Sequence, residues 1–292
     1  MRTRTPRRTA VLAVAALVVG TVTLTSAAGS TAVERPSGEH PSKVLRDGTP
    51  KQAGLVPGPI AQMAVDLTAY LAPSPTYPMY AGGVVLAGHN GYVVQRAAAG
   101  YSLRYADGKG TDLPRDQWIP MRNDTIFDLA SVSKLFTSIA LVQQVEASRI
   151  DLDRTVASYI PAFAANGKDA VTVRQLLTHT SGFPSWLPLY SSQPTPEARI
   201  QAVYDAKLSN PPGSTYLYSD LNLITAGELV ELVTGKSLDT VVQDDITGPL
   251  QMVDTGYNPP ASELGRIAAT EYQTTPARGM VHGSVHDENA WS

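Results

Sequence analysis

Between Leu129 and about Ala147 the residues Val132, Leu135, Phe136, Ile139 and Val142 recur at helical spacing, and Leu141 and Val145 widen the same apolar face. The pattern predicts a mostly buried helix around which the rest of the chain must pack. Into its first turn the stretch "FDLASVSKLFTS", residues 127–138, places Ser131 and Lys134 three residues apart, on one side of the helix. A charged amine is costly in such apolar surroundings unless it is paired. A serine hydroxyl is a weak nucleophile until a neighbour takes its proton, and a partly desolvated lysine can have its pKa lowered enough to do so. The plainer alternative is a serine that caps the helix and a lysine whose stem lies along it while its amine reaches water. On these two residues alone both readings stand.

A chain of 292 residues, 43% of them hydrophobic, can bury a sizeable core and is not a disordered protein. It holds no cysteine, which excludes disulfides, a lipid on cysteine and a thiolate nucleophile. The opening "MRTRTPRRTAVLAVAALVVGTVTLTSAAGS" combines a basic start, an apolar run from Ala10 to about Val22 and small residues around Ala28, the pattern of a secretory signal peptide over residues 1–28. The apolar run is shorter than the roughly 20 residues of a membrane span, so no stable anchor is expected after cleavage. Arg7 and Arg8 leave the general and the twin-arginine export routes both open. Loss of residues 1–28 removes four arginines and no acids, moving the formal charge from −3 to −7, which disfavours nucleic acid as a partner. The expected location is secreted, or at the periplasmic or extracellular face of a bacterial cell.

Residues 29–46, rich in Ser, Gly, Pro and charge, read as a flexible linker ahead of one domain over 47–292. Within it, "PGPIAQMAVDLTAYL" predicts a helix that opens on prolines. "GGVVLAGHNGYVVQRAAAG" predicts two antiparallel strands joined at Asn90-Gly91, a pair suited to the positive φ values of a tight hairpin. "VTVRQLLTH" predicts a short helix. The irregular, proline-rich stretch from Ser181 to about Thr195, with Phe183, Trp186 and Tyr190, is suited to line a site. "SDLNLITAGELVELVTGKSL" predicts a further helix closed by Gly235. Just before it, in "PPGSTYLYSDLNL", Tyr218 follows a turn. Near an ammonium such as Lys134 a phenol ionises more readily and could relay a proton, although a core tyrosine capping a backbone group is the plainer reading.

"FDLASVSKLFTS", "VTVRQLLTHTSGFP", "PPGSTYLYSDLNL", "LVELVTGKSL" and "GPLQMVDTGY", in that order and spacing, resemble the serine β-lactamase and penicillin-binding-protein-like hydrolases of the class C type, which include esterases and D-amino peptidases. The resemblance runs from about Asp47 to the end of the chain. It implies an α/β layered, β-lactamase/transpeptidase-like fold: an antiparallel sheet flanked by helices, with a helical subdomain that carries Ser131. It also implies Ser131 as the acyl-accepting nucleophile, Lys134 as its proton partner and Tyr218 as general base and acid, with the acylating base disputed among such enzymes. No metal and no cofactor are called for.

Two departures qualify the resemblance. Asp220 occupies the substrate-binding position where relatives carry Asn. A carboxylate cannot donate an amide hydrogen bond to a substrate carbonyl and repels an anionic substrate, so a neutral ester or amide is favoured over a β-lactam. Asn222, two residues on, is displaced along the backbone and is no substitute. The third family motif, His-x-Gly or Lys-Thr-Gly, which completes the oxyanion hole, finds no match; His282-Gly283-Ser284 lies before its place. The expectation is therefore a domain that lacks its C-terminal part, with an incomplete sheet and half an oxyanion hole, a loss that typically costs about 10²–10³ in rate.

The leading expectation is an exported serine hydrolase that cleaves an ester or amide, peptidoglycan-like or otherwise small, through an acyl-enzyme. The alternative is a non-catalytic cell-wall-binding module or truncated pseudoenzyme. His282 and His286, near Asp287 and Glu288, lack the zinc-protease order of residues, and "TGKS" at 234–237 lacks the leading glycine of a phosphate loop, since Val230 stands there. His179 is expected to be a satisfied core or loop histidine.

Overall fold

The computed structural model describes residues 45–74 and 78–292. The expected signal peptide, and the expected linker except for its last two residues, lie outside the described residues.

The hairpin forms where the β-branched runs place it. β2 (Gly82–His89) and β3 (Tyr92–Leu103) pair antiparallel from Gly82↔Gly100 to His89↔Tyr92, with a register shift at Ala87/Gly88. Asn90 (φ +48°) and Gly91 (φ +76°) make the turn between them, both in the left-handed region that this hairpin type demands. β1 (Arg46–Asp47) joins the other edge of β3, and β4 (Ile119–Pro120) pairs with the far end of β3. The antiparallel expectation holds for β2, β3 and β4, whereas the two-residue β1 runs parallel to β3. α1 (Pro57–Ala69), with prolines in its first turn, packs on β2 and β3 and supplies the layer that a lone hairpin lacks.

The larger core is helical. α2 (Ser133–Glu146) packs against α6 (Asp220–Thr234) and α7 (Leu238–Val242), and α6 also packs against α3 (Val173–Leu177). Between these helices Leu141, Leu176, Phe183, Leu221, Leu229 and Val230 are buried. Phe163 sets its ring edge-to-face against Phe183 at 5.7 Å and against Tyr204 at 6.2 Å. Thr172 and Gln175 close a reciprocal capping box at the start of α3. α6 begins at Ser219, whose hydroxyl accepts the Leu221 N–H, and ends at Gly235. The irregular stretch contains one short helix, α4 (Leu189–Ser192), and is followed by α5 (Pro196–Asp205). A second hairpin, β5 (Glu271–Gln273) and β6 (Gly279–Val281), precedes α8 (Glu288–Trp291), which packs against α4.

The apolar face read from the sequence of α2 is only partly buried: Leu141 is in the core and Phe136 and Val145 pack against it. Thr137, Ala140, Leu141 and Gln144 face the core, while Leu135 is 58% and Val132 56% exposed, and Ile139 and Val142 are exposed beside them. The helix is apolar on two faces, and α6 and α7 cover only the one that carries Leu141. Gln144 is tolerated inside because its amide donates to the Ala140 carbonyl and its oxygen accepts from Arg149. The α-helix proper starts at Ser133; residues 130–132 form a tighter 3-10 turn.

Candidate active site

Ser131 sits in that turn, which is backbone under strain. Ala130, one residue earlier, has φ +43°, a value uncommon for a residue with a side chain. The conformation is held by Asp128: one of its carboxylate oxygens accepts the Ala130 N–H at 2.7 Å, and the other accepts the His286 N–H at 2.7 Å. The segment around His286 is thus tied to the turn that presents Ser131.

The 3-10 turn leads directly into α2, so Ser131 and Lys134 share a face, and the Lys134 ammonium donates to Ser131 Oγ at 3.0 Å. The same ammonium lies 2.7 Å from Asp220 Oδ1 and 5.0 Å from the centre of the Tyr218 ring. The Lys134 and Asp220 side chains are 21% and 30% exposed, so the pair is only partly desolvated. Burial works against the lysine charge, but hydrogen bonds to Asp220 and Tyr218 outweigh it and hold Lys134 above the ordinary lysine range. Asp220 and Tyr218 thus favour the ammonium form of Lys134, against the lowering that desolvation alone would give. Ser131, Lys134, Tyr218 and Asp220 come together in one cluster, as their spacing in the family pattern implies. Asp220 is turned onto Lys134, and its backbone N–H donates to the Ser185 carbonyl, which fixes the start of α6 against the irregular stretch.

Asn222 belongs to a different layer. It is fully buried; its Oδ1 accepts the Ser181 hydroxyl at 2.6 Å and its Nδ2 lies 3.1 Å from His179 Nδ1. Its side-chain amide therefore serves the interior and not a substrate. His179, expected to be a satisfied loop residue, stands behind the cluster with its ring 4.7 Å from that of Tyr218. Its signal in the sequence was the "THTSG" motif itself, whose chemistry becomes legible only once the segment at 217–222 folds onto it. The irregular stretch is held by the distant Asn289, which accepts the Tyr190 N–H and donates to the Leu187 carbonyl. His282 turns away, its Nε2 2.9 Å from the Ile267 carbonyl, and His286 pairs with Glu271 at 2.7 Å.

This arrangement, a serine at a strained turn with a lysine one helical turn on and a tyrosine from the lip of a second helix, is that of a β-lactamase/transpeptidase-like domain, and residues 75–291 match the family model described as Beta-lactamase. The chain belongs to the beta-lactamase family. It is 30% identical over 238 residues to N-acetylmuramyl-L-alanine amidase of Bacillus subtilis (strain 168), a match that covers 73% of this chain and 53% of that protein. Among solved structures it resembles EstCE1, a hydrolase with promiscuous acyltransferase activity, at 26% identity and a TM-score of 0.56, covering 73% of this chain and 54% of that one. FmtA from Staphylococcus aureus shares the fold at 20% identity and a TM-score of 0.57, covering 86% of this chain and 64% of that one. The chain spans about half the length of the curated relatives it matches.

Proposed function

We propose that this domain is a serine hydrolase that acylates Ser131 and prefers a neutral ester or amide. The observation that carries the proposal is the single ammonium shared by Ser131 Oγ, Asp220 and Tyr218. A lysine that donates to the serine cannot also take its proton, so the proton acceptor in this reading is the phenol oxygen of Tyr218, whose ring centre lies 5.0 Å from the same ammonium. Ser131 Oγ attacks the substrate carbonyl carbon, Tyr218 takes the hydroxyl proton and returns it to the departing alcohol or amine, and water then hydrolyses the acyl-enzyme along the reverse path.

The substrate class follows from charge. Asp220 is committed to Lys134, so the pair carries no net charge toward an incoming anion, and Tyr216, Tyr218 and Trp186 present partly exposed aromatic surface nearby. The amidase relative makes a peptidoglycan-like amide one candidate, and the EstCE1 relative makes a small ester another. We place the protein outside the cytoplasm on its opening residues, with a signal peptide at 1–28, a linker at 29–46 and the hydrolase domain from 47 onward; N-terminal sequencing of exported protein starting at Gly29 checks this.

The deciding experiment is mass spectrometry after treatment with a fluorophosphonate. One adduct, on the peptide containing Ser131 and absent from Ser131→Ala, is expected. Labelling that survives the substitution would overturn the assignment, and saturable binding of peptidoglycan fragments without any adduct would favour the non-catalytic wall-binding alternative.

A further inference from the structure

His179 follows α3 with φ +55°, in the left-handed region that few side-chain-bearing residues adopt. Its Nδ1 lies 3.1 Å from the backbone nitrogen of Ser219, a group that can only donate. Nδ1 therefore presents its lone pair, and the ring proton sits on Nε2. The Asn222 amide nitrogen reaches the same Nδ1 at 3.1 Å, oriented by the Ser181 hydroxyl that occupies its oxygen. The backbone carbonyl of His179 accepts the Leu217 N–H at 2.9 Å. Residues 217, 219 and 222, which flank Tyr218 and Asp220, are thus all fastened to one histidine. Its ring also lies against the Tyr218 ring, tilted by 33° at 4.7 Å, with Tyr216 edge-on at 6.1 Å.

We propose that His179 is a positioning residue: as the neutral Nε2–H tautomer it holds Tyr218 and the first turn of α6 at Lys134, and its protonation releases them. This inference rests on the Ser131 acylation reading for its kinetic consequence but not for its geometry. A proton on Nδ1 would face two donors, the Ser219 N–H and the Asn222 amide, with no acceptor between them. The charged and titratable groups around the ring are Lys134 from α2, Asp220 from α6, and Tyr216 and Tyr218 from the segment before it. Burial, and next the Lys134 ammonium, push His179 below the ordinary histidine value, with Asp220 opposing. The ring is accordingly neutral at pH 7, and the release falls on the acid side.

The test uses the full chain, 15N-labelled for imidazole NMR, together with fluorophosphonate labelling rates across pH. Tyr218 ring resonances are expected to shift with the titration of His179. His179→Leu is expected to slow labelling by about 10- to 100-fold, at or below the lower end of what a general base itself contributes, as suits a positioning residue, and to remove the acid limb, while changing the half-saturating concentration less than about threefold. His179→Asn sets an acceptor oxygen near the place of Nδ1, tolerates left-handed backbone, and is expected to recover most of the rate. Tyr218 resonances indifferent to His179 protonation, or a His179→Leu protein that labels at the parental rate with the parental pH profile, would overturn the proposal. A parental protein that forms no adduct at Ser131 defeats the acylation reading instead, and the NMR coupling still decides the role of His179.

Discussion

Asp220 changes what Lys134 can do. With a carboxylate at 2.7 Å the ammonium form of the lysine is favoured, and the negative charge of Asp220 is paired before a substrate arrives. In Asp220→Asn the lysine keeps its serine contact, but loses the partner that raises its pKa and leaves an uncompensated positive charge in the cleft. Acylation by an anionic β-lactam should then rise about tenfold relative to a neutral ester, the factor that about 1.4 kcal/mol of charge interaction supplies; an unchanged ratio would refute the charge argument. Lys168 is a second lysine whose surroundings decide its behaviour. It is fully buried, and its ammonium donates to the carbonyls of Ala165 and Ala206, each at 2.6 Å. Burial pushes its pKa below the ordinary value. Because the folded pKa is the lower one, the unfolded chain takes up this proton first as the pH falls through about 10.4, and stability declines from there until the folded value is reached. Urea midpoints for Lys168→Met should lose that slope. Truncation in Lys168→Ala, which orphans both carbonyls, should cost about 2–5 kcal/mol. The gathering of Ser131, Lys134, Tyr218 and Asp220 into one cluster was legible in the sequence as a family pattern, because each lies in a short segment whose order and spacing carry the resemblance. The pairing of Asp220 with Lys134 and the contact of Lys168 with the Ala206 carbonyl were not, because they join residues 86 and 38 positions apart.

At the scale of elements, α6 shows how a cap and a site coincide. Ser219 closes the N-terminus of the helix through Leu221, donates to the Pro184 carbonyl at 2.6 Å and is itself fully buried. Ser219→Ala should lower stability by about 1–2 kcal/mol in urea titration, the usual cost of a lost cap, while the Ser219 N–H that His179 accepts is retained. Gly182, in the same loop as His179, has φ +90°, and a Cβ there would collide with the Asn210 carbonyl oxygen. Gly182→Ala must therefore move backbone, and a loss of about 1–3 kcal/mol is expected from denaturant midpoints. Period-based reading located the hairpin, α3 and α6 closely, since each is bounded by a turn or capping residue: Asn90-Gly91, Thr172 and Ser219. It misjudged α2, where a helix apolar on two faces offers no internal sign of which face its neighbours will cover.

For the molecule as a whole, the uncovered face of α2 and the free edge of β2 among the described residues are the surfaces that the core leaves apolar or unpaired. Val132, Leu135, Ile139 and Val142 lie exposed along this stretch, and the eight-residue edge strand β2 offers unpaired backbone among the described residues. Concentration-dependent sedimentation is the expected outcome, reduced in a Leu135→Gln, Val142→Gln double variant. Sedimentation of the parent as a monomer at every concentration would contradict it. The carboxylate of Asp128 carries a consequence for time. It joins the strained turn before Ser131 to the backbone of His286, 158 residues further along the chain. Closing a loop of that length is slow relative to forming local helices, and synthesis delivers His286 long after Ser131. The turn that presents the serine is thus completed near the end of folding, so that in refolding from urea far-ultraviolet helix signal should return before the chain regains reactivity toward a fluorophosphonate.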